Sequence, residues 1–383
     1  MKTLRDIDVS QKRVLLRVDF NVPMKEGVIE DDFRIRQALP TIVYLRKKGA
    51  RVLLISHLGR PDGVQEELRL RPVAKHLSSL LGDTVLFFEN FQAAQAGFGD
   101  VPGGGVALLE NLRFERGEEE ASEPFALRLA ELADVCVNDA FGVSHRQHAS
   151  VFVLPRLLPS AAGLLLQAEV AHLRRVREEA EHPFVLMLGG AKVHSKVRLI
   201  ESLLDSVDAV CLGGVTANSV LAARGVSVGS SLVENGETAE YIRSMDFPSA
   251  KVLLPLDAVL APSPEADSQA RQEAIEDVGA SDMILDIGPQ TIRSFSDAIR
   301  EARLIVWNGP MGLFEREAFS KGTRELIEAV RNSSARLVVG GGDLLAAFHE
   351  ADAFDSIEYA STGGGAMLEY LAEGTLPGIE ALE

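Results

Sequence analysis

Short apolar runs alternate with amphipathic segments along the whole chain. Runs rich in Val, Leu and Ile that lack polar positions are typical of strands buried on both faces of a parallel sheet. They predict strands at Val14–Val18, Val52–Ile55, Val106–Leu109, Val135–Val137, Phe184–Leu188, Ala209–Leu212, Val252–Leu256, Leu304–Trp307 and Leu337–Val339. Helical spacing of apolar residues predicts helices at Pro124–Ala133, Val197–Leu204, Ser294–Glu301 and Lys321–Asn332. The alternation indicates an α/β protein whose parallel sheets carry helices on both faces.

A charged amphipathic segment near the middle of the chain marks a domain boundary. In Gln167–Glu181, apolar Val170, Leu173 and Val176 recur at helical spacing among charged residues, which predicts one long helix. The chain has 383 residues, more than one hydrophobic core usually organises, so we expect two domains joined by this helix. The first domain would cover residues 1–165 and the second would begin at residue 166. Bending around the helix would close the two halves on a cleft.

The charge and composition exclude several classes of partner. The net charge is −17, so the phosphates of nucleic acid or of an anionic membrane would be repelled. No apolar run is long enough to span a bilayer, and the first residues lack the apolar stretch of a secretory signal. Cys136 and Cys211 each lie in an apolar run and are expected to be reduced core residues. We therefore expect a cytoplasmic protein with small-molecule partners.

Polar and cationic residues follow the strands predicted in the first half. Ligands of parallel α/β sheets bind at the carboxyl ends of the strands. These ends carry Asp19, Asn21, Ser56, His57, Glu110, Asn111, Asn138 and Asp139, and Arg60, Arg113 and Arg146 follow closely. Arg17 shares a strand face with Asp19, and a structural pair between these two is the competing explanation. Several independent strand ends that each deliver an Arg or His favour a cationic site for an anionic small molecule.

Glycine turns follow the strands predicted in the second half. Gly340–Gly342 and Asp343 precede a helix predicted at Leu344–Ala351, and Ser361–Gly365 precede one predicted at Met367–Ala372. Backbone N–H groups at helix amino ends bind anions, and Asp343 beside them could hold a metal ion. The alternative is that the glycines let the helices pack closely on the sheet.

Two lysines follow a further glycine turn at Gly189 and Gly190. Lys192 and Lys196 lie one helical turn apart and are expected to share a helix face near an anion-binding amino end. The chain lacks a Walker A sequence and has no clear GxGxxG between a strand and a helix. A nicotinamide-dependent dehydrogenase, which would share the strand-helix alternation, is therefore disfavoured.

These segments together resemble the phosphoglycerate kinase family. The resemblance rests on Arg17–Pro23, Ser56–Pro61, Glu110–Phe114, Asn138–Arg146, Gly189–Lys196, Trp307–Gly312 and the two triple-glycine turns, in the family's order, and extends to Leu376–Leu382. It implies two Rossmann-like lobes that transfer a phosphoryl group in line and reversibly from 1,3-bisphosphoglycerate to ADP, giving 3-phosphoglycerate and ATP. It also implies that a tail, residues 365–383, joins the first domain, so that the second ends at residue 364.

The resemblance further implies particular roles. Phosphoglycerate would be bound by Asp19, Phe20, Asn21, Arg34, His57, Leu58, Gly59, Arg60, Arg113 and Arg146. The nucleotide would be bound by Gly190, Lys196, Gly213, Gly214, Asn308, Glu315, Gly341, Gly342, Asp343 and Leu344. Arg34, Lys196 and Lys192 would be catalytic: the charges of Arg34 and Lys196 would stabilise the moving phosphoryl group, with Lys192 nearby. Asp343 would bind the Mg²⁺ of the ADP or ATP complex, and the protein would be a monomer.

The sequence departs from the family's usual pattern at three positions. Leu344 replaces a common Thr or Ser, Ser195 a common Asp, and Val215 a common Gly. We expect these changes to tune nucleotide affinity without abolishing activity. A non-catalytic nucleotide-binding protein of the same fold would be expected to lose Arg34, Lys196 or Asp343, whereas all three are present.

Overall fold

The computed structural model describes residues 1–248 and 250–383, which form two compact units. The first unit comprises Met1–Leu173 and Thr375–Glu383, and the second comprises Arg174–Gly374. The boundary falls inside a helix at Leu164–Glu178, where the sequence predicts one at Gln167–Glu181. Among the described residues, no helix combines the length and apolar character needed to cross a membrane.

The first unit is built on a six-stranded parallel sheet. Its strands are β1 (Arg13–Arg17), β4 (Arg51–Ile55), β5 (Val85–Phe88), β6 (Val106–Leu109), β7 (Val135–Asn138) and β8 (Ser160–Ala162), in the order β5-β6-β4-β1-β7-β8. A short hairpin, β2 (Met24–Lys25) and β3 (Val28–Ile29), precedes the first helix. The helices are α1 (Phe33–Lys47), α2 (Arg71–Leu81), α3 (Phe91–Gly97), α4 (Glu123–Ala130), α5 (Leu164–Glu178) and α13 (Pro377–Glu380).

Helices cover both faces of this sheet, as predicted. Successive strand residues point to opposite faces, so Leu16 packs with α1 and α2 in one core whereas Leu15 packs with α3 and α4 in the other. All four apolar residues of β6 are buried, which explains the absence of polar positions in that run. The free, buried thiols confirm the expectation for Cys136 and Cys211, and burial raises the pKa of Cys136 to about 12.

The chain direction across the sheet places a ligand site at a defined edge. From β1 the chain builds outward through β4, and it returns to the other side of β1 only with β7. Such a reversal leaves a crevice beyond the carboxyl ends of the two strands, where open α/β sheets bind ligands. Arg17, at the end of β1, is in register with Asn138 at the end of β7. Asp19 and Asn21 therefore lie just beyond the strand, at the reversal point.

The second unit contains a parallel sheet with the strand order of a Rossmann fold. Its strands are β9 (Phe184–Leu188), β10 (Ala209–Leu212), β11 (Val252–Leu253), β15 (Leu304–Asn308), β16 (Arg336–Gly340) and β17 (Tyr359–Ser361), ordered β11-β10-β9-β15-β16-β17. Its helices are α6 (Val193–Leu203), α7 (Gly214–Ala223), α8 (Gly236–Ser244), α9 (Pro289–Glu301), α10 (Lys321–Arg331), α11 (Gly342–Glu350) and α12 (Gly364–Glu373). The reversal point lies between β9 and β15.

A small antiparallel sheet in this unit differs from the purely parallel expectation. It consists of β12 (Asp257–Ala261), β13 (Arg271–Ala274) and β14 (Met283–Ile287), with β12 in the middle. The predicted strand Val252–Leu256 stops at Leu253, because Pro255 has no N–H to donate to a ladder.

The chain termini meet within the first unit. The backbone N–H of Lys2 donates to Leu382 O at 2.9 Å, and that of Gly378 donates to Ser144 O at 2.8 Å. The sequence places residues 365–383 with the first domain, whereas contacts assign only Thr375–Glu383 to this unit. Residues 365–373 belong to α12, which packs on α6 and ends at the left-handed Gly374. The division of function between two domains stays a prediction.

Candidate active site

Asp19, Asn21 and Arg34 form a hydrogen-bonded group at the end of β1. Arg34 Nη1 donates to Asn21 O at 2.9 Å and lies 3.4 Å from Asp19 Oδ2. The Asn21 side-chain carbonyl accepts from Gly59 N at 2.9 Å, which ties the loop after β4 to this group. Arg34 is on the first turn of α1 and remains partly exposed, so its guanidinium is held in place yet accessible to a ligand.

Arg17 is not paired directly with Asp19 by a salt bridge, contrary to the competing explanation drawn from the sequence. The Arg17 side chain is fully buried and lies 3.8 Å from Glu118 Oε1, and its Nε donates to Ser150 Oγ at 2.8 Å. The pairing differs because the strand ends at Arg17, so the two side chains no longer follow one strand face. The arginine that pairs with Asp19 is Arg34.

The loops after β4 and β6 hold one another together. Asn111 Nδ2 donates to Leu58 O at 2.8 Å, and Arg113 Nη1 donates to Gly59 O at 2.5 Å. Arg113 is largely buried, whereas Arg60 is exposed at the same loop. Both loops thereby deliver guanidinium groups to one edge of the sheet.

Two residues predicted to contact phosphoglycerate have side chains in the core. Phe20 and Leu58 are buried among apolar residues of the first unit. The Phe20 backbone N–H donates to Ser56 Oγ at 2.9 Å. A ligand could therefore contact only the backbone atoms of these two residues.

Two histidines at this edge have lowered pKa values, chiefly because they are buried and also because arginines surround them. Burial, together with Arg17, Arg113 and Arg34, holds the pKa of His57 well below its usual value. Burial and the neighbouring arginines, Arg146 among them, also lower the pKa of His148 to about 4. Neutral imidazoles next to several arginines are expected where an anion is to be bound.

Sequence reasoning missed His148 as a member of this group. Its side chain is almost buried and its Nδ1 has no hydrogen-bond partner among the described residues. The sequence could have indicated His148, because it lies two residues after Arg146 in the segment that follows β7. Arg146 itself is exposed, which leaves it free to approach a ligand.

In the second unit, the carboxyl ends of five strands are in register. Leu212, Leu188, Asn308, Gly340 and Ser361 form one row across β10, β9, β15, β16 and β17. The turns that follow each strand therefore open at the same edge of the sheet. Asn308 Nδ2 donates to Gly340 O at 2.8 Å and, more weakly, to Gly364 O at 3.4 Å, so it ties three of these turns together.

The turn after β16 leaves open space at the amino end of α11. Gly341 has a φ of +105°, which side-chain-bearing residues rarely adopt, and a Cβ at Gly342 would meet no atom within 4 Å. No side chain caps this helix end, so its first N–H groups are free to bind a phosphate. The Leu344 side chain is buried in the core, so only its backbone could serve the nucleotide.

The two lysines do not share a helix face as predicted. Helix α6 begins at Val193, and Lys192 precedes it with a left-handed φ of 61°. Lys192 is exposed, whereas Lys196 is only 3% exposed, and the Lys196 ammonium donates to Ala191 O. Burial and the charge of Lys192 lower the pKa of Lys196 to about 8, against the opposing effect of Asp343. Asp343, in the turn after β16, is thus close enough to favour the charged form of Lys196.

The glycines at β9 and β10 permit close contact between turns. A Cβ at Gly214 would lie 2.6 Å from Gly190 N, and one at Gly213 would lie 2.5 Å from Met311 Sδ. These glycines thus let the turns after β9, β10 and β15 lie in close contact. Glu315 is exposed on the loop between β15 and α10.

The carboxylate of Asp343 is available for a metal ion at this edge. Asp343 is exposed on the first turn of α11 and has no hydrogen bond or salt bridge to the described residues. Within residues 1–248 and 250–383, no three His, Cys, Asp or Glu side chains cluster in a way that could hold a metal ion. This donor set fits Mg²⁺, which is often held by one carboxylate, the phosphates of a substrate and water.

Comparison with known proteins identifies the family. The family model described as phosphoglycerate kinase matches residues 4–374. The phosphoglycerate kinase of Thermomicrobium roseum is 49% identical over 388 aligned positions, covering 100% of this chain and 99% of that protein. That of Pelotomaculum thermopropionicum is 47% identical, covering 100% and 98%.

Solved structures agree with the sequence comparison. The phosphoglycerate kinase of Coxiella burnetii superposes with a TM-score of 0.81 at 40% identity, covering 99% of this chain and 98% of that chain. The Pyrococcus horikoshii enzyme superposes with a TM-score of 0.86 at 34% identity, covering 100% and 98%. The fold and the family expected from the sequence are confirmed: the chain belongs to the phosphoglycerate kinase family.

Proposed function

We propose that this chain is an active phosphoglycerate kinase that reversibly transfers a phosphoryl group from 1,3-bisphosphoglycerate to ADP. The observation that carries the proposal is the presence of two kinds of anion-binding edge in one chain of this family. One edge, in the first unit, is rich in guanidinium groups, and the other, in the second unit, is rich in free backbone amides. A kinase acting on a phosphorylated acid needs both.

The edge of the first unit would bind the phosphoglycerate. Arg60, Arg113 and Arg146 would neutralise its phosphate, since guanidinium groups bind phosphate oxygens in a bidentate manner. Asp19 and Asn21 would bind the polar part of the three-carbon chain. Arg34, held against Asp19 and Asn21, would stabilise charge on the phosphoryl group during transfer.

The edge of the second unit would bind the nucleotide. The amino end of α11 would hold phosphates, with Asn308 fixing the turns around it. Asp343 would hold Mg²⁺, which neutralises phosphate charge when bound. Lys196 would bind the phosphates, and their negative charge would favour its protonated form. Gly190, Gly213, Gly214 and Glu315 would surround the adenosine.

The chemistry requires no general base. The carboxylate and the ADP oxygen that exchange the group are both ionised near neutral pH. Phosphoryl transfer depends chiefly on positioning and on charge neutralisation. The proposed roles of Arg34, Lys196 and Asp343 therefore suffice for the reaction. The cytoplasmic location and the monomeric state remain predictions from the sequence.

A coupled assay tests the proposal. Purified protein should form ATP from 1,3-bisphosphoglycerate and ADP in the presence of Mg²⁺, with the double variant Arg34→Ala/Lys196→Ala as the inactive reference. A non-catalytic binding protein would bind ATP without turnover, and a dehydrogenase would need a nicotinamide cofactor. Absence of ATP formation by a folded protein that binds both substrates would refute the proposal. In-line transfer in a closed cleft stays a prediction, for which small-angle scattering should show compaction with both substrates beyond either alone.

A further inference from the structure

Two opposite charges are completely buried behind the cationic edge of the first unit. The side chains of Arg17 and Glu118 are both 0% exposed, and Arg17 Nη2 lies 3.8 Å from Glu118 Oε1. A buried ion pair of this kind adds little net stability, because desolvation of both charges offsets their attraction. A contribution to stability therefore does not explain why the two charges are buried here.

Ser150 fixes the orientation of the pair. Its hydroxyl donates to Glu118 Oε1 at 2.6 Å and accepts from Arg17 Nε at 2.8 Å. Its backbone N–H donates to Glu118 Oε2 at 3.0 Å, so both carboxylate oxygens are occupied. Arg17 Nη1 also donates to Val18 O. With these partners the guanidinium has one allowed orientation.

In that orientation Arg17 meets His57. Arg17 Nη2 lies 3.3 Å from His57 Nδ1. The nearest carboxylate oxygen, Asp19 Oδ1, lies 3.9 Å from the same nitrogen, beyond hydrogen-bond range. A guanidinium can only donate, so His57 Nδ1 must accept and carries no proton. The single ring proton of a neutral His57 is then on Nε2.

We infer that Arg17 and Glu118 form a positioning pair that holds His57 as the neutral Nε2–H tautomer, so that the ring offers the phosphoglycerate site an N–H donor. The inference rests on the proposed function. The depressed pKa of His57 agrees with it, since burial and the surrounding arginines disfavour a second ring proton. Arg17, which is wholly buried, acts through His57 and does not touch the substrate.

Two variants separate positioning from stability. Glu118→Gln leaves Arg17 as an uncompensated buried cation, whereas Arg17→Met/Glu118→Gln removes both charges and keeps an acceptor for Ser150 N. Replacement of a whole buried pair is often neutral for stability. We expect the double variant to regain most of the thermal stability lost in Glu118→Gln. It should not regain substrate affinity, because Glu118→Gln loosens the orientation of Arg17 and the double variant removes the Arg17 donor to His57 altogether. Glu120→Gln, on an exposed side chain in the same acidic run, is the matched control.

The readouts are steady-state kinetics and ¹⁵N NMR of the imidazoles, with His57→Gln used for assignment. In the parent and in Glu120→Gln, His57 should give the signature of a neutral Nε2–H ring at pH 7. In both pair variants we expect a mixture of tautomers and a KM for 3-phosphoglycerate raised about tenfold, with the KM for ATP and kcat changed less than about threefold.

The inference is overturned if His57 keeps a pure Nε2–H signature in the folded double variant, or if that variant recovers the parent KM. Should Glu118→Gln not fold, the same NMR and KM measurements are made on the double variant and on Ser150→Ala, which removes the hydroxyl that bonds both Glu118 and Arg17. Absence of turnover in the parent protein would instead refute the proposed function, so the two failures are distinguishable.

Discussion

Arg34 and Asp19 form an ion pair of 3.4 Å at the end of the first strand, while the same Arg34 nitrogen donates to Asn21 O. This pair holds a partly exposed guanidinium without consuming all of its donors. Such a group can stabilise charge that develops on a transferring phosphoryl group.

We therefore expect Arg34→Ala to lower kcat by roughly 10³-fold, as loss of a charge-stabilising arginine does in other phosphoryl transfers. ADP affinity should stay within about tenfold, because the nucleotide is assigned to other residues. Arg36→Ala is the control on the same helix, since Arg36 is exposed and pairs with Asp32 one turn earlier. Steady-state kinetics and calorimetric titration of ADP measure both quantities. Equal kcat values for the two variants would contradict the role of Arg34.

The pH profile of kcat should fall on its alkaline side as Lys196 loses its proton. Its pKa is lowered to about 8 by burial and by Lys192, so the ammonium form is lost as the pH rises through that value. If the charged form is required, kcat should fall above about pH 8, although bound phosphates will move this fall to higher pH. Lys192→Ala removes a like charge and should shift the alkaline fall of kcat to higher pH.

Asp343→Asn should shift the alkaline fall of kcat to lower pH, because Asp343 raises the pKa of Lys196. Profiles of kcat between pH 6 and pH 10, with Lys321→Ala as a surface control, measure these shifts. An alkaline fall that is unmoved by either substitution would show that another group titrates.

Most strands of the two parallel sheets were predictable because burial on both faces leaves a continuous apolar run, as in β6 and β9. The partly exposed β5 and the three-residue β8 and β17 were not predicted. The antiparallel sheet was not, because β13 is polar and largely exposed, with sequence Arg-Gln-Glu-Ala. Helix α1 was also missed, since it contains Pro40 and carries charges on several faces. A buried strand or an amphipathic helix is recognised from its own apolar pattern, whereas an exposed polar strand such as β13 is defined only by its pairing with β12.

The site was predictable in its membership but not in its internal contacts. Glu118, Glu119 and Glu120 are consecutive and chemically identical, yet of the three only Glu118 is buried. Its partner Ser150 is 32 residues away in sequence, and Arg17 is 133 residues from Ser150. Nothing local distinguishes the buried carboxylate, because the distinction is made by tertiary packing.

Two neighbouring glycines should respond differently to a methyl group. Gly341→Ala forces a φ near +105° on a residue with a side chain, which should lower the free energy of unfolding by about 1–3 kcal/mol. Gly342→Ala meets no neighbour and should leave the thermal midpoint unchanged. Its methyl group would occupy the space proposed for phosphates, so ATP affinity should fall about tenfold or more. Thermal unfolding and ATP titration test both, and unchanged affinity in Gly342→Ala would move the phosphate site elsewhere.

Asp343 should set the metal requirement. Asp343→Asn keeps the shape of the side chain but removes a charged oxygen ligand, so the Mg²⁺ concentration for half-maximal activity should rise about tenfold or more. Glu350→Gln, at the carboxyl end of the same helix, is the matched control. Titration of activity with Mg²⁺ at fixed ATP compares them. The same requirement in both variants would exclude Asp343 as the ligand.

Buried Asp139 should make stability depend on pH. Burial raises its pKa from 3.8 to about 7, against hydrogen bonds from Thr41 and from the backbone at Leu166. Because the folded form holds the proton more tightly, this contribution is complete below pH 3.8 and is lost as the pH rises toward about 7. Asp139→Asn keeps an acceptor and carries no charge, so we expect it to stabilise the protein by roughly 1–3 kcal/mol at pH 8 and hardly at all at pH 4.

Asp134→Asn provides a control of opposite sign. The hydrogen bonds from Arg13 lower the pKa of Asp134, so its charged form is favoured in the folded state. Its replacement should reduce stability at pH 8 and have less effect in acid. Urea unfolding of the parent and both variants at several pH values gives the comparison. If Asp139→Asn destabilises the protein equally at pH 4 and pH 8, the carboxyl group is retained for its hydrogen bonds and its charge carries no penalty.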